Sequence, residues 1–406
     1  MNILYFSNFY EPEQIAAAFR ATENSRIWAR RGHNVTVFTG YPNYPIGKIF
    51  DGYDPKLLSE EYAQGVRILR SKVIAKPNTN MVRRIVSALS FFFFGIVNFI
   101  FNRKKIKGNY DVVLGTSGTI FAALLGWVYA LFARKPFVFE IRDITYKQMV
   151  ATGKSEGSFG VKIMKFLELF LAKRAAKVVV VTNGFKKILA EDGIPPEKIS
   201  VITNGVDVTP CSQTPENRNE PVLSYFGTLG ISQNIMDTFP YAKRISELCE
   251  GFSYLIIGEG AQREQIEAAA QAEEASFVTL LRGMTAQELE PYYCKSALSL
   301  MALKKTENFR YTIPSKLFQI MGRGIAVLFI GPDGEAAEII RKHNCGLALT
   351  GTLEEDMQAL TAFFSREDWK EQLVQMGKNG VDAVQKHYTR TALAIQYEQL
   401  LNAITK

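Results

Sequence analysis

The sequence predicts an α/β protein of two consecutive domains, each built on a parallel sheet. Three observations carry that expectation. The chain has 406 residues, more than one ordinary core holds. Short apolar runs rich in Val, Ile and Phe recur along it, such as the four consecutive valines at 178–181, as strands buried on both faces of a parallel sheet require. Helical segments separate these runs, and one proline-rich polar stretch divides them into two series. Composition agrees: 47% hydrophobic and 22% charged residues is a globular balance that leaves no case for global disorder.

Taken in order, the first series of strands falls at 2–7, 34–39, 67–72, 111–116, 136–143, 177–182 and 199–203. Helices are expected at 23–31, closed by Gly32 in the left-handed position after the last turn, and at 159–174, where apolar residues recur at helical spacing. The stretch TPCSQTPENRNEP, 209–221, has three prolines and no periodicity and reads as a linker. The second series of strands falls at 222–227, 254–258, 277–282, 298–302, 326–330 and 347–349. A helical stretch at 369–404 closes the chain, with breaks expected near 377–380 and 387–389. The expected domains are 1–208 and 222–385, followed by a terminal helix at 386–406. Open parallel sheets bind ligands beyond the carboxyl ends of their strands. Two such sheets facing one another are expected to form an interdomain cleft, with a nucleotide on one side and an acceptor on the other.

Several chemistries are disfavoured. No Walker motif is present, so ATP hydrolysis is unsupported. The histidines, His33, His343 and His387, share no metal-ligand spacing, and no metal is expected. Cys211, Cys249, Cys294 and Cys345 form no CxxC or framework pattern, and the N-terminus reads as a first strand rather than a signal peptide. Both features favour a reducing, cytoplasmic setting.

The candidate chemistry lies at strand ends. In FRYTIPSKLFQIMGRG, Pro314 and Ser315 open a helix, Ser315 being suited to cap it. Lys316 then sits in the first turn, where an ammonium and a helix N-terminus both attract an anion such as a diphosphate. Gln319 lies on the same face and suits ribose hydroxyls; the competing reading is an exposed Lys and Gln on an ordinary helix. Glu140, Arg142 and Asp143 end an apolar strand, where charged groups need partners or a substrate; the competing reading is a structural ion pair. The turn after the first strand carries Ala16, Ala17 and Arg20, small residues that admit a ligand and a cation that suits a phosphate. Gly258-Glu259-Gly260 lacks the third glycine of a dinucleotide fingerprint and reads better as a tight turn before a helix.

The strings NFYEPE, ARRGHNVTVFTGYPNYPIGKIFDGY, FEIRD, VITNGVD, YFGTLGISQN, LIIGEGAQREQIE, TIPSKLFQIMGRG and PDGEAAEII follow one another along nearly the whole chain. On them the chain resembles glycosyltransferase family 4, the retaining GT-B enzymes, and within it the branch of bacterial O-antigen and capsule enzymes such as the N-acetyl-L-fucosamine transferases. The resemblance implies two facing Rossmann-like domains, acceptor-binding first and nucleotide-sugar-binding second, with the terminal helix packing back on the first. It implies a donor site formed by Gly227, Thr228, Gln233, Arg282, Tyr311, Lys316, Gln319 and Glu335. Thr228 and Gln233 stand where the family usually has the Arg and Lys of its phosphate loop. Tyr311 and Gln319 stand where it usually has paired glutamates, on the donor sugar and the nucleotide ribose. Ala16, Ala17, Arg20, Glu140 and Asp143 fall to the acceptor side, and Asp143, Arg142 and Lys316 to catalysis. The activity implied is retaining transfer from a nucleotide sugar, UDP-linked, to a lipid-linked glycan, without metal or cofactor. The sugar implied is an N-acetylated amino or deoxy sugar. A nonhydrolysing UDP-sugar 2-epimerase of the same architecture and a non-catalytic membrane-bound scaffold are the other readings.

Net charge is +8, and its location is informative. Residues 67–107 hold ten Lys/Arg and no Asp or Glu, while the rest of the chain holds 38 basic and 40 acidic residues. Within this segment IVSALSFFFFGIVNFIF, 85–101, is flanked by Arg83, Arg84, Arg103, Lys104, Lys105 and Lys107. The pattern predicts a helix lying at an anionic membrane surface, or packed in the first domain with one apolar edge exposed, and peripheral attachment to the inner face of the cell membrane. The competing readings are a wholly buried core helix and a solvated basic face. Nucleic acid is not expected as a partner.

Overall fold

A computed structural model of the chain describes every residue except 45, 78–80, 152, 210, 212–220, 272–274 and 406; the side chains of Ala16, Met81, Val82, Arg84, Ala151 and Asn308 also fall outside the description. Two units emerge, residues 1–203 with 393–406, and residues 204–392. The first unit thus ends five residues before the expected boundary at 208, and most of the expected linker, 210 and 212–220, lies outside the described residues.

The first unit contains β1 (Asn2–Phe6), β2 (Asn34–Gly40), β3 (Leu58–Ala63), β4 (Val66–Ser71), β5 (Val112–Thr116), β6 (Phe137–Ile141), β7 (Lys177–Val180) and β8 (Ile199–Val201). Their order in the sheet is β3-β4-β2-β1-β5-β6-β7-β8. All pairings are parallel except β3 with β4. The helices are α1 (Ala16–Arg30), α2 (Met81–Phe101), α3 (Arg103–Ile106), α4 (Ile120–Ala133), α5 (Thr145–Ala151), α6 (Phe159–Arg174) and α7 (Asn183–Glu191). β5 and β6 are buried at every position, which explains their unbroken apolar runs.

β3 has no counterpart among the expected strands. Its LSEEYA sequence has one buried residue, so no apolar run marks it. The turn that makes it is local: Gln64 and Gly65 both have positive φ, 48° and 79°, the two-residue geometry that matches strand twist. α1 also begins earlier than expected, so Ala17 and Arg20 lie on a helix rather than in a turn. Gly32 does take the left-handed conformation after it, with φ 88°.

The second unit contains β9 (Val222–Phe226), β10 (Ser253–Ile257), β11 (Val278–Leu281), β12 (Leu298–Ala302), β13 (Ala326–Ile330) and β14 (Gly346–Leu349), in the order β11-β10-β9-β12-β13-β14, all parallel. Its helices are α8 (Phe239–Leu248), α9 (Arg263–Ala270), α10 (Ala286–Lys295), α11 (Ser315–Gly322), α12 (Glu335–His343), α13 (Leu353–Phe364) and α14 (Trp369–Ala383). Thr285 and Thr352 start α10 and α13 through reciprocal caps with Glu288 and Glu355.

α14 runs unbroken through Gly377 and Gly380, against the expected interruption. These glycines serve packing: a Cβ at Gly377 would lie 2.2 Å from the Gly324 carbonyl oxygen, and one at Gly380 3.2 Å from the Met321 Cα. The helix breaks instead through a π-turn at Val384–Tyr388, close to the second expected site. α15 (Arg390–Thr405) then packs on the first unit's core, where Ala394, Tyr397 and Leu401 meet Tyr5 and Trp28. The Trp28 indole N–H donates to the Ala394 carbonyl at 3.0 Å, and Arg31 pairs with Glu398 at 2.6 Å.

Candidate active site

Each sheet reverses its strand order once, between β1 and β5 in the first unit and between β9 and β12 in the second. Such a reversal opens a crevice at the carboxyl ends of the strands, because the two flanking loops leave in opposite directions.

In the second unit the loop after β9 and the start of α11 border that crevice. The Lys316 ammonium lies over the Tyr225 ring, 4.0 Å from its centroid, and a Cβ at Gly227 would sit 2.7 Å from Nζ. Gly227 has φ 140°, a conformation that favours glycine. Among the described residues no carboxylate pairs with Lys316, and burial pushes its pKa down to about 8. The aromatic face stabilises the ammonium, and among the described residues no carboxylate compensates its charge. No side chain caps α11: Pro314 holds the cap position, and Ser315, expected as the cap, is the first helical residue. Gln319 lies one turn beyond Lys316 and is exposed.

The loop that approaches Lys316 is held by a second glycine turn. The Leu229 N–H donates to the Glu259 carbonyl at 2.9 Å, and the Gln262 N–H to the Leu229 carbonyl at 3.0 Å. A Cβ at Gly258 would meet the Gly227 carbonyl oxygen at 1.9 Å. Gly258-Glu259-Gly260 is thus the seat of the Gly227–Gln233 loop, a role its spacing did not reveal. Tyr225 adds a hydroxyl donated to the Thr228 carbonyl at 2.7 Å, and the Lys304 N–H ties the loop after β12 to the Ser232 carbonyl at 2.9 Å. Thr228 and Arg282 are exposed; Gln233 and Tyr311 are half-buried. Glu335 is buried at the start of α12, its N–H donating to the Arg310 carbonyl at 2.9 Å.

In the first unit the charged strand end divides into two roles. Glu140 is completely buried. Its two oxygens accept from Arg20 Nε at 2.7 Å and from the Tyr5 hydroxyl at 2.8 Å. Arg20 also donates to the Thr203 and Ile202 carbonyls, at 2.9 and 3.0 Å. The pair is joined inside the unit, so Glu140 has both oxygens filled by the protein, while the Arg20 side chain keeps 10% exposure. Arg142 and Asp143 lie beyond it. The Arg142 N–H donates to the Ser117 hydroxyl at 3.0 Å, and burial and Arg20 lower the guanidinium pKa. Asp143 keeps solvent access, yet the surrounding protein raises its pKa, with Arg142 opposing. Ala17 on α1 faces Gly118, where a Cβ would lie 3.3 Å from its own. The Ala16 side chain lies outside the described residues.

Two supports escaped the sequence. Glu168 on α6 accepts from the Thr145 and Tyr146 N–H groups at 3.0 and 3.5 Å and so anchors the segment after Asp143; burial raises its pKa to about 7. Glu13 accepts from the Asn43 and Tyr44 N–H groups, both at 2.9 Å, which explains how the NFYEPE and GYPNYP strings meet. Asn8 Oδ1, Thr116 Oγ1 and Thr119 Oγ1, at the ends of β1 and β5, are buried and have no hydrogen-bond partner among the described residues.

α2 is partly core: Phe91 and Asn98 are fully buried, and the Asn98 amide donates to the Leu57 carbonyl and the Ser71 hydroxyl at 2.9 and 3.0 Å. Its other side exposes Leu89, Phe93, Ile100 and Phe101. α4 packs beside it and α6 beside α4, and these expose Leu131 and Phe132, and Phe159 and Phe166. Among the described residues no helix is long and apolar enough to cross a membrane. Arg83, Arg103, Lys104, Lys105 and Lys107 are exposed; the Arg84 side chain lies outside the described residues. The basic segment is less uniformly available than its composition suggests, because Arg67 pairs with Glu60 at 2.7 Å and Arg70 is buried against Glu61 at 2.6 Å.

Comparison with known proteins places this geometry. Residues 16–205 match the Glycosyl transferase 4-like domain family. The chain is 22% identical over 345 residues to Escherichia coli K12 WcaI, provisionally named a colanic acid biosynthesis glycosyl transferase, covering 80% of this chain and 82% of WcaI. In fold it is similar to sucrose-phosphate synthase from Thermosynechococcus elongatus, with a TM-score of 0.68, 15% identity and coverage of 99% and 98% of the two chains. It is also similar to Anabaena Alr3699/HepE in complex with UDP, with a TM-score of 0.66, 13% identity and coverage of 99% and 100%. Residues 16–205 thus form a glycosyl transferase 4-like domain, and the two parallel-sheet units have the GT-B fold, findings that together support a family 4-like glycosyltransferase.

Proposed function

We propose that this chain is a retaining glycosyltransferase of surface polysaccharide biosynthesis, moving an N-acetylated amino or deoxy sugar from a UDP-linked donor to a lipid-linked glycan. The observation that carries the reading is Lys316: a half-buried ammonium with no paired carboxylate, beside a glycine loop and at an uncapped helix start. A half-buried, unpaired cation of this kind suits an anion. The donor diphosphate supplies one, with the loop Gly227–Gln233 close enough for backbone contact and Gln319 available to the ribose. The name of WcaI supports a polysaccharide setting, and the UDP complex of HepE supports the base.

In the proposed reaction the bond from C1 to the diphosphate oxygen breaks, and the acceptor oxygen bonds to C1 on the same face. The acceptor proton passes to the departing diphosphate. Lys316 and the α11 N-terminus stabilise the negative charge that develops on that leaving group, so the chemical step needs neither a protein nucleophile nor a metal. Asp143 orients the acceptor hydroxyl, and the unpartnered Asn8 and Thr119 oxygens offer further acceptor contacts. The exposed apolar residues of α2, α4 and α6, with Arg103, Lys104 and Lys105 beside them, hold the protein on the inner face of the membrane, where a lipid-linked acceptor stays.

The test is incubation of the full chain with a panel of UDP-sugars, with and without lipid-linked acceptors, with and without a chelator. Mass spectrometry reads the product and NMR its anomeric configuration. Chelator-insensitive transfer with retained configuration is expected. Epimerisation of the donor without acceptor would make it an isomerase, and no turnover across the panel would leave a scaffold.

A further inference from the structure

We propose that Cys211, Glu290 and Cys294 form a zinc site that fastens the start of the second unit onto α10. A sulfur from each cysteine and a carboxylate oxygen of Glu290 lie within 4.8 Å of one another. A tetrahedral zinc holds thiolates at about 2.3 Å, which sets sulfur–sulfur separations of about 3.8 Å. Side-chain rotation of up to about an ångström therefore closes the set. Glu290 and Cys294 are one helical turn apart on α10 and share a face. Cys211 comes from a segment laid along the end of α11: the Thr209 N–H donates to the Gly322 carbonyl at 3.2 Å and the Cys211 N–H to the Arg323 carbonyl at 3.4 Å. None of the cysteines is in a disulfide.

The donor types select the ion. Two thiolates favour zinc over magnesium or calcium, and three protein ligands leave a fourth position for water. Charge also balances. Two thiolates and a carboxylate carry three negative charges, zinc offsets two, and the Arg323 guanidinium offsets the third. Arg323 is built into the site: Nε and Nη2 donate to Glu290 Oε2 at 3.2 and 2.9 Å, and the guanidinium stacks 4.3 Å from the Tyr293 ring centroid. Both bonds fall on Oε2, and neither uses Oε1. An outer group that orients a ligating carboxylate in this way is the usual support of a metal centre. Arg323 lies at the opposite end of α11 from Lys316, so this zinc is structural and separate from the transfer chemistry.

The full chain, reduced, stripped with a chelator and kept anaerobic, is titrated with Co2+. One equivalent should give a sulfur-to-cobalt charge-transfer band that Zn2+ abolishes, with release of the two thiol protons to the buffer. Cys211→Ser and Cys294→Ser should each remove the band and weaken Zn2+ binding at least about tenfold, the lower end of what losing a supporting group costs a metal site. Cys345→Ser should leave both unchanged. Cys294 is buried and its variant can misfold, so half-buried Cys211 is the decisive position, with circular dichroism of the metal-free protein as the control for folding. The proposal is overturned if no charge-transfer band forms, if Cys211→Ser retains it, or if peptide mapping without reductant finds Cys211 and Cys294 joined as a disulfide.

Discussion

Lys316 and Glu140 show how two charged residues at strand and helix ends come to opposite uses. Glu140 is buried but satisfied, with Arg20 and Tyr5 filling its oxygens. Lys316 is half-buried against a ring, no carboxylate pairs with it among the described residues, and its pKa is down at about 8. A residue that burdens the fold in this way is a functional-site candidate. Lys316→Met should therefore lower transfer on the order of 10²-fold, the scale of one lost electrostatic stabiliser. Its thermal midpoint should stay level or rise, because a half-buried, unpaired charge has been replaced by an apolar side chain of similar length. Initial rates and thermal melts check this, and a large loss of both would make Lys316 a structural residue. The pH dependence has a definite sign. In the free protein the ammonium is intact below about 8 and is lost as the pH rises through that value. UDP affinity should thus be level below it and fall above it by about tenfold per pH unit, as one linked proton requires, with no such fall in Lys316→Met. The effect on folding runs the other way. The folded pKa lies below the unfolded one, so the penalty is full below about 8 and relieved towards the ordinary lysine value.

At the scale of elements, the candidate site rests on supports behind its loops. The turn after β10 carries the loop after β9, backbone against backbone, and Gly258 leaves no room for a side chain. Gly258→Ala should displace the Gly227–Gln233 loop and reduce turnover about 10²-fold, the usual result of misplacing a reacting group by an ångström. Gly251→Ala, at the opposite end of β10, adds a methyl that meets nothing within 4 Å and should change stability only. Steady-state kinetics on the two variants separates a loop effect from general strain. Glu168 is the corresponding support in the first unit. Its folded pKa, about 7, lies above that of an unfolded glutamate, so the folded state binds more protons between the two values. Stability should fall as pH rises from about 5 to 7 and level off above, and Glu168→Gln should remove that slope. Denaturant melts of both proteins across this range test the sign; identical slopes would mean that Glu168 titrates normally.

For the whole molecule, the notable surface is the row formed by α2, α4 and α6. Phe132 is 82% exposed and Phe159 80%, values that an isolated soluble surface rarely combines with several neighbours of the same kind. With basic residues at the end of α2, this face suits an anionic bilayer. Binding to vesicles containing an anionic lipid should weaken with salt, because the charged part is screened. Replacing Arg103, Lys104 and Lys105 by Ser should weaken it further, and replacing Phe132 and Phe166 by Ser should weaken it even at low salt. Flotation measures all of these. No binding at low salt would assign the face to another partner and make a soluble acceptor the better expectation.

The sequence by itself determined the α/β class, the two series of parallel strands and the place of Lys316, because each depends on periodicity or on residues adjacent in the chain. Buried parallel strands are unbroken apolar runs, and a helix opened by Pro314 and Ser315 puts Lys316 in its first turn wherever that helix packs. Tertiary structure decided what these residues touch. Glu140 could not be distinguished from Asp143, its neighbour three positions on, until Arg20 and Tyr5 were brought to it from distant parts of the chain. The polar hairpin strand β3 lacked an apolar run, and its Glu60 and Glu61 took two arginines out of a segment that looked uniformly basic. Gly377 and Gly380 read as helix breakers until α14 was seen to need their missing side chains. Cys211 joins Glu290 and Cys294 only after folding, so no ligand spacing could announce the set. Local pattern encodes the conformation of a segment; the partner that neutralises a charge or fills a space comes from elsewhere in the chain and is chosen by packing.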